Sequence, residues 1–477
     1  MRIQLAIPLS LYEIAHAIGA VLPKSEDAES IRIEAFTTDS REIQRGDLFI
    51  AIRGENVDGN RFLSSAFASG ASAAICQEKN ADVPSDALLI LCEDSINAIG
   101  ALAAFYQKKI PHKTIAVTGS VGKTTTKECL RHVLAKGYRV HATEGNHNNE
   151  LGLPYTIFSM PKDTEILILE MGMSGLGEIA YLSKIACPDV AIVTTIGTSH
   201  LEHLGTRENI CRAKMEITEG MKDSSLLLLN GDEPLLRAEE RHRLKPKFIS
   251  LNEGEGDCFV NNLTTGTEET AFHACLFGDK EEEYAIPMAG RHAAYAALFA
   301  LAVGRYFGMP HKQMRDGLAA YTPDSLRQNI GTYPVRTDKG LQNVTIIRDC
   351  YNAAPESMQA ALSVLAMTAK SKNGRAVAFL GDMKELGQNS QELHEQVGTF
   401  AHKTGVQILV TYGESATSIA QGARKCGMPD ASIFEFPQPD KEAAAALLLS
   451  ILTEGDTLLF KGSRAMRVEQ VADLLTN

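Results

Sequence analysis

KTIAVTGSVGKTTTKECL, residues 113–130, runs from an apolar stretch through a glycine-rich turn into a helix-prone segment. Ile115, Ala116 and Val117 read as a buried strand, and Gly122-Lys123-Thr124 opens the helix. A strand feeding such a turn lets successive backbone N–H groups and a helix N-terminus surround a phosphate. Gly119, Ser120, Val121, Gly122, Lys123, Thr124 and Thr125 are therefore the candidate nucleotide-binding residues. Lys123 would reach the β- and γ-phosphates, and the Thr124 hydroxyl would hold Mg2+. The full phosphate-loop pattern places a glycine six residues before the lysine. Val117 stands there, so the loop is a shortened variant starting at Gly119. A chance glycine turn is the bland alternative, and the strand–turn–helix context counts against it.

At 477 residues the chain is too long for one ordinary core, and about three domains are expected. A hydrophobic content of 44% with 22% charged residues is that of a soluble globular protein. The net charge of −12 argues against general nucleic-acid binding, which needs a basic face. The nine cysteines form no C-x-x-C pair, so neither a zinc site nor a disulfide framework is indicated. Free thiols in a reducing cytoplasm fit this usage. No apolar run approaches membrane-spanning length, and no membrane insertion is expected. The N-terminal MRIQLAIPLSLYEIAHAIGAVLP is apolar enough to raise a secretion signal, but Glu13 and His16 interrupt it. Leu11, Ile14, Ala15 and Ile18 fall at helical spacing after Ser10, a natural N-cap, so an amphipathic first helix is expected.

Residues 1–110 hold short strands and turns, with an Ala-rich helix from about Asn60 to Gly70, and Ile110-Pro111 marks a boundary. From 113 onward, TIAVTG, RVHAT, EILILEMG, DVAIVTTIG and SLLLLNGD alternate with helix-like runs. That alternation predicts a mostly parallel sheet wrapped by helices, with ligands at the strands' carboxyl ends. An irregular region (252–287) and a strongly helical RHAAYAALFALAVGRYFG follow. From Pro323, VTIIRDCYNA, AVAFLGD, QILVTYG and TLLFKGS repeat the alternation. The expectation is an α/β protein of three domains, 1–110, 111–322 and 323–477, the last two both α/β.

Strand ends supply the chemistry. Glu170 closes EILILE and His200 follows DVAIVTTIG. With Thr124 they could offer oxygen and nitrogen ligands to Mg2+ ions that bridge phosphates. On spacing alone, His200 equally suits a hydrogen-bonded loop histidine. Lys214, within ENICRAKMEITEG, is by itself a lysine on a helix. Asn148 and Asn149 in GNHNNELG suit sugar or phosphate recognition, and they suit an Asx-rich loop as well. Arg327, Asp349 and Asn352 are placed to grip a nucleotide from the opposite side. Lys461, Ser463 and Arg464 follow the strand TLLF and fit a carboxylate or phosphate anchor, or equally a surface turn with two solvated cations.

TGSVGKTTTKE, GNHNNELGLP, LEMGMSGLGEIAYL, IGTSHLEHLGTRENICRAKMEI, DCYNAAPESM, LGDMKELGQNSQELH and KGSRAMRVEQV occur in the order seen in Mur ligases. With the N-terminal TTDSREIQRGDLFIAIRGENVDGNRF, the resemblance covers nearly the whole chain. It implies a small α/β UDP-sugar-binding domain, a central P-loop ATPase-like domain and a C-terminal Rossmann-like domain. It implies that ATP phosphorylates the terminal carboxylate of a peptide, whose acyl phosphate an amine then attacks. Among the members most similar in motif, the substrates are UDP-N-acetylmuramoyl-tripeptide and D-alanyl-D-alanine, and the setting is cytoplasmic peptidoglycan precursor synthesis. Carried over residue by residue, Lys123 and Thr124 serve the phosphates and the first Mg2+, which Glu170 joins. His200 serves a second Mg2+. Lys214 matches a carbamylated lysine whose added carboxylate helps to hold that ion, and Lys123, Lys214 and His200 are the implied catalytic set. Asp39, Ser40 and Arg41 match the segment that recognises the UDP-sugar. A monomer is expected.

The chain also departs from the family's pattern. Gly290-Arg291-His292-Ala293-Ala294-Tyr295-Ala296 stands where Gly-x-His-Asn-x-x-Asn is usual, so both amides are missing. Ala354, Ala465 and Asn60 replace the commoner Asn, Gly and His. Three rival readings follow: a folylpolyglutamate synthase-like ligase, a regulatory P-loop NTPase and a non-catalytic relative. The first would lack the DSR and KGSR segments, and the second would not need the paired metal residues.

Overall fold

The computed structural model describes residues 2–22, 30–54, 56–79 and 82–476. Two compact units account for them: 1–118, 137–192 and 215–227 form one, and 119–136, 193–214 and 228–477 the other.

The first unit contains a five-stranded sheet of order β1-β2-β3-β4-β5, built from β1 (Arg2–Ser10), β2 (Arg32–Thr37), β3 (Leu48–Ile50), β4 (Ala73–Cys76) and β5 (Leu89–Leu91). β1 and β2 are antiparallel, and the other neighbours are parallel. Ser10 ends β1 and caps the helix Leu11–Ala17, its hydroxyl accepting from Glu13 N while the Glu13 carboxylate accepts from Ser10 N at 2.8 Å. The predicted cap is therefore present; the residues before it form a strand. The Ala-rich segment is helical over Leu63–Ala68, with a 3-10 turn at Gly59–Phe62 before it.

The same unit carries β6 (Lys113–Thr118), β7 (Val140–Ala142), β8 (Ile166–Glu170) and β9 (Val190–Val193), in the order β9-β6-β8-β7. β6 is parallel to β8, and β7 to β8. β8 is buried along its whole length and β6 from Thr114 onward, as strands covered on both faces must be. All five strands predicted from residue 113 onward form, the fifth as β10 (Leu226–Asn230).

The second unit contains β10 followed by β11 (Lys247–Ser250), β12 (Cys258–Thr265), β13 (Thr270–Leu276) and β14 (Glu282–Ile286), adjacent in the order β14-β13-β12-β11-β10. Here the expectation fails: 252–287 is not irregular but carries an antiparallel meander. In TAFHACL every second side chain is buried, yet Thr270, His273 and the neighbouring asparagines dilute the apolar signal. The predicted helix forms over Arg291–Tyr306.

The six-stranded sheet of this unit has the order β15-β16-β20-β17-β18-β19, from β15 (Asn329–Thr337), β16 (Gly340–Arg348), β17 (Ala376–Gly381), β18 (Ile408–Tyr412), β19 (Ile433–Phe436) and β20 (Thr457–Lys461). Only the β15–β16 edge hairpin is antiparallel. Aliphatic clusters cover both faces, one around Leu362, Leu380 and Leu409, the other around Val377, Phe379 and Phe460. The helices Ser390–Lys403 and Thr417–Lys425 meet backbone to backbone: a Cβ on Gly398 would lie 1.8 Å from Ile419 O, and one on Gly422 2.0 Å from Glu395 O.

Candidate active site

The phosphate loop is held by Thr194 and Thr195, the two residues that follow β9. Ser120 N donates to Thr195 O at 2.9 Å, and Val121 N to the Thr195 hydroxyl at 3.1 Å. The Thr194 hydroxyl donates to Val121 O at 2.6 Å. Gly119 has φ +148°, and a Cβ there would lie 1.9 Å from Thr194 Oγ1. That close approach is why glycine is required at the loop's first turn. Gly122, at φ +90°, opens the helix Lys123–Leu134 with no side-chain cap, and an anion suits such a terminus. Lys123 Nζ donates to Gly119 O at 2.7 Å, folding the side chain back over the loop. The Ser120 hydroxyl is buried without a partner among the described residues. Val117, where the full pattern has glycine, sits inside β6 opposite Glu170. The missing glycine is therefore a strand residue, not a loop defect. Thr194 and Thr195 were not singled out from the sequence, although their position at the end of an apolar strand was a usable signal.

Glu170 is buried at the end of β8. Its carboxylate accepts from Asn148 Nδ2 at 2.9 Å, and its N–H donates to the Thr143 hydroxyl at 3.0 Å. Asn148 is further fixed by Gly172 N donating to its carbonyl at 2.8 Å. Asn149 Oδ1 accepts from Gly152 N at 2.9 Å and closes the turn that starts the next helix. Both asparagines thus have protein partners, and Asn148 orients Glu170.

Lys214, in the helix Arg207–Met215, is 1% exposed. Burial and then the nearby Lys123 ammonium drive its pKa well below that of an ordinary lysine, against a smaller opposing influence of Cys211. At that burial Lys214 does not lie on a solvated helix face. Burial disfavours the charged ammonium form of this lysine.

His200 takes φ +67° ahead of the short helix Leu201–Leu204. Its Nδ1 lies 2.6 Å from a carboxylate oxygen of Glu385, in the loop after β17. Glu385 is held below the usual carboxylate range, first by its contact with His200. Nearby, the Thr198 hydroxyl donates to Glu356 at 3.3 Å. Neither glutamate was singled out from the sequence, because each meets a loop remote in the chain.

Asp349 and Lys461, assigned separately above, are one group. Lys461 Nζ lies 2.6 Å from Asp349 Oδ2 and donates to Asn352 O at 3.0 Å. With 2% exposure, Lys461 is no solvated surface cation. The Arg327 guanidinium stacks over the Tyr351 ring at 3.9 Å. Ser463 N donates to Asp382 O, and the Ser463 hydroxyl accepts from Lys384 N, both at 2.9 Å. Arg464 is exposed and pairs with Glu469. In the first unit, Asp39 caps the turn Ser40–Glu42. The Arg41 side chain and amide hold the Asp39 carboxyl well below its usual range. An open pocket of about 700 Å3 there is lined by Arg2, Arg41, Glu42, Ile43 and Gln44.

The segment that lacks both amides has become core. Ala293 and Ala296 are buried, the Tyr295 hydroxyl donates to Asp232 at 2.6 Å, and His292 pairs with Gln328 at 2.6 Å. Among the described residues, no three His, Cys, Asp or Glu side chains form a metal-holding group. No helix among them is long and apolar enough to cross a membrane.

Three family models match the chain: Mur ligase family, catalytic domain, over residues 32–116; Mur ligase middle domain over 117–304; and Mur ligase, glutamate ligase domain, over 335–464. The UDP-N-acetylmuramoyl-tripeptide–D-alanyl-D-alanine ligase of Bacillus subtilis is 35% identical over 465 residues, 98% of each chain. A crystal structure of MurF from Acinetobacter baumannii superposes with a TM-score of 0.86 at 28% identity, covering 100% of both chains. MurF ligase from Thermotoga maritima, solved in complex with ADP, gives 0.81 at 31% identity, over 92% of this chain and 96% of that one.

Proposed function

The chain belongs to the Mur ligase family, and from that premise we propose that it joins D-alanyl-D-alanine to UDP-N-acetylmuramoyl-tripeptide at the expense of ATP. Its place is then in peptidoglycan precursor synthesis in the cytoplasm, acting on small molecules. The three domains are 1–110 for the UDP-sugar, 111–322 for ATP and 323–477 for closure. The observation that carries the reading is the pairing of a glycine-turned phosphate loop with the buried Lys214, in a chain that matches such a ligase along 98% of its length.

A carboxylate is a poor acyl donor. In the proposed reaction the tripeptide's terminal carboxylate oxygen attacks the γ-phosphorus and ADP departs, leaving an acyl phosphate. The dipeptide's amine nitrogen then attacks the acyl carbon, loses a proton and expels inorganic phosphate, so one amide forms. Lys123 and the loop amides serve the transferred phosphoryl group, whose charge they offset where it develops. Asp39, Ser40 and Arg41 serve the UDP-sugar, and Arg327, Asp349 and Asn352 the nucleotide.

By the chemistry of their donors, a hydroxyl at Thr124, a carboxylate at Glu170 and an imidazole at His200 are each groups that could serve Mg2+, which is usually held by one or two protein groups plus substrate phosphates. Two such ions, when bound, neutralise phosphate charge, Thr124 and Glu170 serving one and His200 and Lys214 the other. The depressed Lys214 amine supports carbamylation: its nitrogen adds to carbon dioxide and sheds a proton, giving an anionic ligand.

Phosphate release from ATP with UDP-N-acetylmuramoyl-tripeptide, measured with and without D-alanyl-D-alanine, tests the function. Release that requires both substrates is expected, and release indifferent to both would remove the ligase reading.

A further inference from the structure

His200 and Glu385 are both non-glycine residues in the left-handed region, at φ +67° and +65°. Such backbone persists only where surrounding structure fixes it, and it gathers at functional sites. Here the two face each other, with His200 Nδ1 and Glu385 Oε2 2.6 Å apart, an ion-pair contact in which the ring N–H is not aligned on the oxygen as a hydrogen bond. Their loops are locked together independently of the side chains. Glu202 N donates to Glu385 O at 3.2 Å, and a Cβ on Gly387 would lie 3.0 Å from Glu202 Cα. The loop under Glu385 is itself fixed. Lys384 N donates to the Ser463 hydroxyl at 2.9 Å, Met383 N to His394 Nε2 at 3.0 Å, and Ala416 N to the Asp382 carboxylate at 2.8 Å.

We propose that Glu385 is a positioning residue for His200, gripping Nδ1 so that Nε2 is the nitrogen left for the divalent cation that accompanies the nucleotide. The proposal rests on the metal role given to His200 above. A carboxylate on one ring nitrogen fixes both the tautomer and the ring orientation of a metal-binding histidine, and its loss weakens metal affinity by about 10–100-fold. The carboxylate comes from the loop after β17 and the imidazole from the loop after β9, so the ligand is oriented only while these loops are joined.

The full-length protein tests this in two ways: the Mg2+ dependence of turnover, and Mn2+ binding in the presence of ADP followed by electron paramagnetic resonance. Glu385→Ala is expected to raise the apparent KM for Mg2+ about tenfold or more, to weaken Mn2+ binding in proportion, and to change kcat at saturating Mg2+ far less. Glu385→Gln retains an oxygen that accepts from Nδ1–H and is expected to recover most of the metal affinity. A Gln variant as impaired as the Ala variant would overturn positioning. So would wild-type metal affinity in Glu385→Ala when His200→Ala is defective, which leaves the site reading standing. Unchanged Mn2+ binding in His200→Ala would overturn both.

Discussion

Lys461 Nζ lies 2.6 Å from Asp349 Oδ2, in a setting where the lysine is almost completely withdrawn from solvent. One ammonium thereby ties the end of β20 to the segment after β16, and it fixes the Asn352 carbonyl as well. Lys461→Met would leave the carboxylate and the carbonyl without their donor. The expected loss is about 2–4 kcal/mol of stability, typical of breaking a buried pair from one side. Urea unfolding followed by circular dichroism measures that loss, and the KM for ATP should rise with it. An unchanged midpoint would mean that the pair contributes nothing.

Gly119→Ala should spare the fold and impair the nucleotide site. The new methyl would press on Thr194, which holds the loop through Val121. ATP affinity measured by calorimetry is expected to fall about tenfold or more, each tenfold being about 1.4 kcal/mol. Wild-type affinity would show that the loop yields freely at this point.

Lys214→Met should lose turnover by about 10²–10³-fold, the range for removing a preorganised electrostatic group. A short-chain carboxylate supplied to Lys214→Ala should restore part of it. The same substitution should also stabilise the protein in carbon dioxide-free buffer. The folded-state pKa of Lys214 lies below 10.5, so at neutral pH the unfolded chain holds a proton that the folded chain holds weakly. Burial therefore penalises the folded wild type most at lower pH, and the penalty fades as pH rises toward 10.5. Thermal unfolding of both proteins between pH 7 and pH 10 checks the sign: the gain from Lys214→Met must shrink with rising pH.

Glu13 should show the opposite dependence. Lys109 and the Ser10 N–H lower its pKa from 4.5, so its contribution is complete above pH 4.5 and disappears as pH falls through the folded-state value. Ser10→Ala should cost about 1 kcal/mol of local stability at neutral pH. Hydrogen exchange in Leu11–Ala17 reports it, and the exchange difference between Glu13→Gln and wild type should narrow on acidification.

Much of this was legible in the chain itself, for identifiable reasons. β6 and β8 are covered on both faces, so ILILE and TIAVT are nearly pure aliphatic runs with a polar residue at the end. β13 has one covered face that includes the polar Thr270, while Ala271 and Cys275 stand beside His273 on the other, so polarity does not alternate with burial and the period-2 signal is lost. Lys461 was ambiguous because a lysine after an apolar strand looks the same whether its ammonium meets water or Asp349. Glu385 was invisible: nothing in LGDMKELG records that its carboxylate meets an imidazole far earlier in the chain. Local pattern carries strand and loop chemistry, whereas contacts between distant loops exist only in three dimensions.

Gly398 and Gly422 hold the two helices after β17 and β18 at backbone contact. Neither position offers an open mutational step: the first side chain added to either helix strikes a carbonyl of the other, whatever its chemistry. Replacing the second glycine does not undo the first collision, so the pair has no compensating double mutant. Sequence drift in this corner of the molecule must pass around these two sites, however freely their exposed neighbours vary.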